Sequence, residues 1–452
     1  MKCRSLLSMA IVVSAISASV VVAPRAVLAA PIINHAGLVP TTPALGYPII
    51  TDTPTYLAFN PACPQGCVKH REVFVTNQVG RYIVSGGNFF NVELQDGSVL
   101  NKRYFAAWNI DTKQIACSNV VFDGEIFAIS PGPTADTLFV GGQFTRVTGP
   151  DGVQRARTRL VKLKLPDCSI DTTFGSPGAN AKIDEFALVG NRLFVGGDFT
   201  EIAGQHASTV AELDATTGVV NPAFSFTVTN SLSSRVRAMG ISPDGNSLVV
   251  AGRFGTIAGN GRTITSPTAV FDITQPQRPQ LTAHSSSGYV ELKYLTDASV
   301  SPDGSLVGLT YGTLTAADFV YLTPTTTAAV TFRWKHFMRN SSFGIGVSNN
   351  AVYVGGHFCK VDEGPGSTDV MTPNSLDSCA GAATPRGVWR TKLIAMSLTD
   401  GTPLSWNPGQ ESFTGAREIT VIPRGILIGY DGVRTNHVRV GALAFLDLGP
   451  AA

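Results

Sequence analysis

The sequence predicts an all-β chain built from repeated four-stranded antiparallel sheets, and three observations carry that prediction. Glycine (46) and proline (27) are abundant and spread along the 452 residues rather than gathered in a linker. Apolar residues make up 44% and charged residues 15%, which suits a buried core and excludes a disordered chain. A short motif also recurs at a fixed interval. Many brief strands joined by many turns require this composition, because turns take Gly and Pro while strands take β-branched and aromatic residues. No stretch beyond the N-terminal segment has a helical apolar period.

That N-terminal segment begins with Lys2 and Arg4, continues as an apolar run over residues 6–23, and ends on small residues at 26–30. This is the pattern of a secretory signal cleaved after Ala29 or Ala30. The run is just long enough to span a bilayer, but its Ser and Ala content and its ending favour removal. Residues 1–29 are therefore assigned as signal peptide and residues 30–452 as one domain. The full chain carries a net charge of +2; removing Lys2, Arg4 and Arg25 leaves 31 basic against 32 acidic side chains, a net charge of −1. No long-range field attracts nucleic acid or anionic lipid.

Of seven cysteines, Cys3 leaves with the signal, and an even set of six remains. In an exported chain that reads as disulfides. Sequence alone allows fifteen pairings, and we expect Cys63–Cys67, Cys117–Cys168 and Cys359–Cys379. Cys117 and Cys168 each follow the third strand of consecutive repeats and can meet across one interface. A metal site at Cys63, Cys67 and His70 lacks a fourth ligand.

The repeat is the strongest signal. Ser85-Gly86-Gly87-Asn88-Phe89 recurs as Val140-Gly141-Gly142-Gln143-Phe144, Val195-Gly196-Gly197-Asp198-Phe199 and Val250-Ala251-Gly252-Arg253-Phe254, with the aromatic residues 55 apart. Drifted copies end at Tyr311, Phe358 and Tyr430. In the third copy, residues 186–189 precede a turn at Gly190-Asn191, residues 193–199 form a second strand, residues 210–213 a third, and residues 221–224 a short fourth. Ser242-Pro243-Asp244-Gly245 and Ser301-Pro302-Asp303-Gly304 supply β-turns between first and second strands, Pro presetting a negative φ and Gly accepting a positive one.

One such sheet cannot bury its two apolar faces, whereas sheets stacked around an axis bury both. The expected architecture is thus a seven-bladed β-propeller with repeats from about residue 72. The last repeat stops at its third strand, residues 442–447. The surplus strand at residues 55–59 is expected to complete that blade and close the ring. Residues 193–204 with 210–224 resemble the bacterial delta-60 repeat β-propellers, and the likeness runs from about residue 72 to 447. It implies a propeller and export, and no catalytic residues to carry over.

Motifs of enzymatic propellers are absent. There is no Ser-x-Asp-x-Gly-x-Thr-Trp box, no ring of docking tryptophans among the four Trp, no histidine pair at metal-ligand spacing and no Gly-x-Ser-x-Gly elbow. A site assembled from several repeats would leave no linear motif. One pattern does recur: Arg103, His206 and Arg439 lie eight residues before Asp111, Asp214 and Asp447, and Arg157 and Arg390 enter third strands in the same frame. These residues form either a partial ring of cations for a carboxylate or acidic glycan, or local bonds closing each blade. The sixth repeat carries a long polar insertion over residues 359–388, with Asp362 and Glu363 as binding candidates and no EF-type calcium loop.

These observations point to a secreted or cell-surface, non-catalytic, monomeric binding or scaffold module for a glycan or protein, with no cofactor, no nucleic acid and no transmembrane span after signal removal. The alternatives are an extracytoplasmic hydrolase or lyase with a site at the channel mouth, and a purely structural wall module. Clustered buried acids at the mouth would favour the enzyme, and an exposed aromatic and polar face would favour binding.

Overall fold

The structure, a computed structural model, describes residues 33–51, 72–229, 235–253, 255–282, 295–312, 318–325, 332–339, 341–361, 388–412 and 415–449. The signal segment, the expected closing strand at 55–59, Cys63, Cys67, Cys379, Asp362, Glu363 and most of the 359–388 insertion lie outside the described residues. The described residues contain strands and no α-helix, and among them no helix is long and apolar enough to cross a membrane.

Seven main antiparallel sheets follow one another along the described chain, here called sheets 1 to 7. Their first strands are Val73–Val79, Ile126–Pro131, Ile183–Val189, Arg235–Ile241, Leu295–Val300, Ser342–Val347 and Ala416–Ile422. Each first strand packs against that of the next sheet, and the first strand of sheet 7 packs against that of sheet 1. The sheets thus stand side by side about a common axis, the arrangement of a β-propeller. Between neighbouring sheets lies a separate apolar core. The core joining sheet 7 to sheet 1 contains Val73, Ile83, Phe89, Trp108, Ile422, Leu427 and Phe445, all under 5% exposed. Burying such side chains contributes about 1.5–3 kcal/mol each, which is why the apolar content is high and the recurrent aromatics Phe89, Phe144, Phe199 and Phe358 are fully buried.

The recurring Gly-Gly pair has a steric cause. In sheet 3, Gly196 pairs with Glu185 and Gly197 with Ile183, so Asp184 is an extra residue in a β-bulge. A Cβ on Gly197 would lie 2.1 Å from the carbonyl oxygen of Lys182, and one on Gly196 would lie 2.7 Å from Val236 of the next sheet. The first glycine admits the neighbouring sheet, and the second admits the carbonyl that begins the bulge. That carbonyl then accepts the N–H of Asp198 at 2.9 Å.

Every sheet carries the bulge at the same place, at Phe74, Phe127, Asp184, Arg237, Thr296, Phe343 and Arg417. The register corrects the expected frame of two copies. Tyr311 pairs with Leu295 and Tyr430 with Ala416, the place held by the second glycine elsewhere, so these tyrosines are not equivalents of Phe89. Tyrosine is accommodated at 311 because its ring packs edge-on against Tyr321, with centroids 5.0 Å apart.

The turns at Ser242–Gly245 and Ser301–Gly304 form as expected, each closed by a 2.8 Å backbone bond with glycine at positive φ. The fourth strand of sheet 3 is shorter than expected. It reduces to a bridge at Val220 and the bond from Asn221 N to Glu212 O, because Pro222 cannot donate to the ladder.

The N-terminal segment supplies two missing pieces. Ala44 N donates to Phe445 O at 2.8 Å, the position on the third strand of sheet 7 that Asp171, Asn221 and Leu404 occupy in sheets 2, 3 and 6. Ile49–Thr51 then pairs with Asn91–Glu93, a strand in the hairpin between the second and third strands of sheet 1. In sheet 2 the corresponding hairpin strand, Arg146–Thr148, pairs with Val121–Phe122 from the preceding connection.

Cys117 and Cys168 form a disulfide across sheets 1 and 2. Cys168 follows the third strand of sheet 2 as expected, whereas Cys117 follows the fourth strand of sheet 1 rather than the third. Cys359 is also disulfide-bonded.

Candidate functional site: the bulged end of the first strands and the axial cavity

A cavity of about 250 Å³ is lined by first-strand residues of all seven sheets, among them Thr76, Ser130, Glu185, Met239, Asp297, Ile345 and Glu418. Its lining begins just past the bulges and runs towards the far ends of the first strands, reaching Ile33, Val300, Pro302, Val347 and Val421, and the bulge residues themselves do not line it. Because Val73 pairs with Gly87, the hairpins between second and third strands leave from the bulged end.

At the bulged end, bulge residues of adjacent sheets meet. The rings of Phe74 and Phe127 stack with centroids 4.9 Å apart and planes 5° from parallel. The ammonium of Lys182 lies 4.3 Å from the centre of the Phe127 ring. Arg417 lies 5.5 Å from the centre of the Phe343 ring and pairs with Glu72 at 3.3 Å. Lys182 also pairs closely with Asp184, both nearly buried, and Arg235 reaches Asp184 at 3.4 Å and Asp198 at 3.8 Å. Phe74, Phe127 and Phe343 remain partly exposed. Two buried polar atoms here have no hydrogen-bond partner: Asp198 Oδ1 and Arg237 Nε.

Just past the bulges, sheets 3, 5 and 7 contribute Glu185, Asp297 and Glu418 to the cavity. Burial pushes Glu185 and Asp297 well above the usual carboxylate range; the charge of Glu418 adds to both, and Arg237 opposes. Burial raises Glu418 to about 7, Glu72 to about 7 despite Arg417, and Asp184 to about 6 despite Lys182.

Thr420 Oγ1 donates to Glu418 Oε1 at 2.5 Å and lies 2.8 Å from the carbonyl oxygen of Thr76. The bond to Glu418 favours the carboxylate and partly offsets the effect of burial. Asp297 Oδ2 accepts the N–H of Ile345 at 3.1 Å. Among the described residues, no group of three His, Cys, Asp or Glu could hold a metal ion.

The cations singled out in the sequence lie on or beside the outer hairpins, and none lines the cavity. Arg103 is exposed and stands 5.4 Å from the Phe90 ring. Arg157 donates to the carbonyl of Ala156 (2.8 Å), and Arg390 to that of Leu404 (2.6 Å). His206 is exposed beside Ser208. Arg439 grips both carboxylate oxygens of Glu93, at 2.8 and 2.6 Å, across from sheet 7 to sheet 1. The bulge residues themselves escaped sequence reasoning. Counting back 13 to 17 residues from the recurrent motif would have collected them.

No family model matches the chain, and no curated protein does. Among solved structures, the chain is similar to the β-propeller domain of Cps50 (Swd1) from Myceliophteria thermophila. The identity is 12%, the match covers 81% of this chain and 95% of that one, and the TM-score is 0.44.

Proposed function

We propose that the chain is a secreted, non-catalytic β-propeller of the delta-60 repeat kind that binds a cell-surface glycan or protein at the bulged end of its first strands. We further propose that its sheets are seven blades of a closed ring. The bonds of Ala44 and Ile49–Thr51 to the last and first sheets support closure, as does the apolar core between sheets 7 and 1. The observation that carries the binding assignment is the ring of bulges, which gathers Phe74, Phe127, Phe343, Arg237 and Arg417 from five sheets at one end. Aromatic carbon beside fixed charged groups is the make-up of a recognition surface.

The test is co-sedimentation of the purified protein with isolated bacterial envelopes. A Phe127→Ala/Arg417→Ala variant should fold and lose attachment. Undiminished attachment would place the contact surface elsewhere.

The three cavity carboxyls favour a second function, a hydrolase or lyase, because an acid titrating near 7 can serve as a proton donor. Release of new reducing ends or unsaturated products from envelope polysaccharide, abolished in Glu418→Gln, would establish it.

A further inference from the structure

At its bulged end, sheet 4 carries three arginines. Arg235 stands directly across from Arg253 in the ladder of the first two strands, and Arg237 is the bulge residue between Val236 and Ala238. Residues opposed in this way hold their Cβ atoms about 4.5–5.5 Å apart, and like charges there repel. Burial, and then the charge of Arg237, hold the Arg253 guanidinium below its ordinary value. The backbone does not demand a cation at this place, for the equivalent residues of other motif copies are Asn88, Gln143, Asp198 and His357.

The carboxylates in reach do not balance this charge. Sheet 3 faces the arginines with Lys182, Asp184 and Asp198. Lys182 and Arg235 share Asp184, and Arg235 also lies 3.8 Å from Asp198. Lys182, Arg237 and Arg253 all act electrostatically on Asp198. Four cations thus meet two carboxylates. Deeper, Arg237 also acts on Glu185 and Asp297, but burial holds both well above the usual carboxylate range, which withholds their charge. The bulge residue of sheet 5, Thr296, is neutral. Arg253 Nε donates to the carbonyl of Leu295 at 2.8 Å. Among the described residues, Arg237 makes no hydrogen bond, and neither arginine has an ion pair. Both are partly exposed. Because Arg237 Nε is buried, only the terminal nitrogens of that side chain can face a ligand. Two neighbouring guanidinium ends with charge to spare are suited to grip an oxyanion. Partly exposed Phe74 and Phe343 stand at the same end, and aromatic carbon suits the C–H face of a pyranose, which favours a sugar over an acidic peptide as the carrier.

We propose that this end of sheet 4 binds an oxyanion of an acidic glycan, a uronate carboxylate or a sulfate ester, between the terminal nitrogens of Arg237 and Arg253. The proposal rests on the bulged end being the binding surface and narrows its ligand.

The purified protein is titrated by calorimetry with hexagalacturonic acid, a chondroitin sulfate hexasaccharide, neutral cellohexaose and maltohexaose, and hexaglutamate. At least one acidic sugar should bind, more weakly as salt rises, and the neutral sugars should not. Binding of hexagalacturonic acid identifies a carboxylate, and binding of the sulfated sugar alone a sulfate ester. Arg237→Gln and Arg253→Gln should each weaken binding about tenfold with unchanged circular dichroism. Arg237 has no hydrogen bond to lose, so its variant tests the site even if Arg253→Gln disturbs Leu295. Arg278→Gln removes one charge from an exposed turn at the far end of the same sheet and should bind like the parent. No acidic-sugar binding, undiminished binding by either site variant, an equal loss in Arg278→Gln, or a preference for a neutral sugar or hexaglutamate overturns the proposal. If acidic sugars fail but Phe127→Ala/Arg417→Ala abolishes envelope attachment, the bulged end stands and the anion falls. If attachment is untouched as well, the binding surface itself falls.

Discussion

Replacing Glu418 by glutamine keeps the shape of the side chain and removes its ability to ionise. An unperturbed glutamate titrates at 4.5, whereas in the folded protein Glu418 holds its proton to about 7. Between those values the folded state binds more protons than the unfolded state, so stability falls as pH rises. The contribution is fully present below pH 4.5 and is lost as pH passes 7. A difference of about 2.5 pH units corresponds to about 3 kcal/mol at 1.36 kcal/mol per unit.

Burial raises Glu72, Asp184, Glu185 and Asp297 as well. The informative quantity is therefore the difference between Glu418→Gln and the parent, measured by urea unfolding from pH 4 to 8. The two proteins should match near pH 4, and the variant should be more stable by about 3 kcal/mol at pH 8. If the variant runs parallel to the parent across the range, Glu418 is ionised in the folded protein and burial does not hold its proton.

Three further outcomes follow from the packing. Removing the Cys117–Cys168 bridge, which spans 51 residues, as Cys117→Ala/Cys168→Ala should lower unfolding free energy by about 4 kcal/mol from loop entropy; thiol labelling of the native parent at either cysteine would contradict the bridge. Gly197→Ala sets a methyl 2.1 Å from a carbonyl oxygen, so it should cost about 2–4 kcal/mol, while Gly204→Ala, with open space around its Cβ position but φ +74°, should cost about 1 kcal/mol; equal losses would dissociate the repeat from the bulge. Arg439→Ala breaks a partly exposed pair with Glu93 and should change stability by under about 1 kcal/mol with envelope attachment unchanged; lost attachment would move the contact surface to the hairpin cations.

The fold was legible because its cause is repeated. Gly141-Gly142 and Gly196-Gly197 must be small for the same two contacts, so the requirement surfaces as a 55-residue period. The fifth and seventh copies were misaligned by two residues because a tyrosine there fills the glycine's place and mimics the motif's aromatic. The site was not legible, for the opposite reason. A bulge constrains where its residue sits rather than which residue it is, so Phe, Phe, Asp, Arg, Thr, Phe and Arg occupy equivalent places without a shared type. The cation pattern was real in sequence, but residues such as Arg439 find partners within the hairpins and are satisfied there. Ala44 and Ile49–Thr51 were missed because two of their bonds fall outside any long apolar run.

That N-terminal stretch has a consequence in time. Ala44 and Ile50 bond to residues 442–445, at nearly the opposite end of the chain. A ribosome adding 5–20 residues per second takes about 20–80 s to make the intervening segment. Throughout that interval the first sheet has an unpartnered flank, and the leading segment can pair with Asn91–Glu93 but not yet with the last sheet. Each later sheet can lean on the one just made, but the join between first and last waits for the final strand. The slow, long-range step of folding therefore falls at the end, and the newborn chain has most need of protection from neighbouring chains just before that strand arrives.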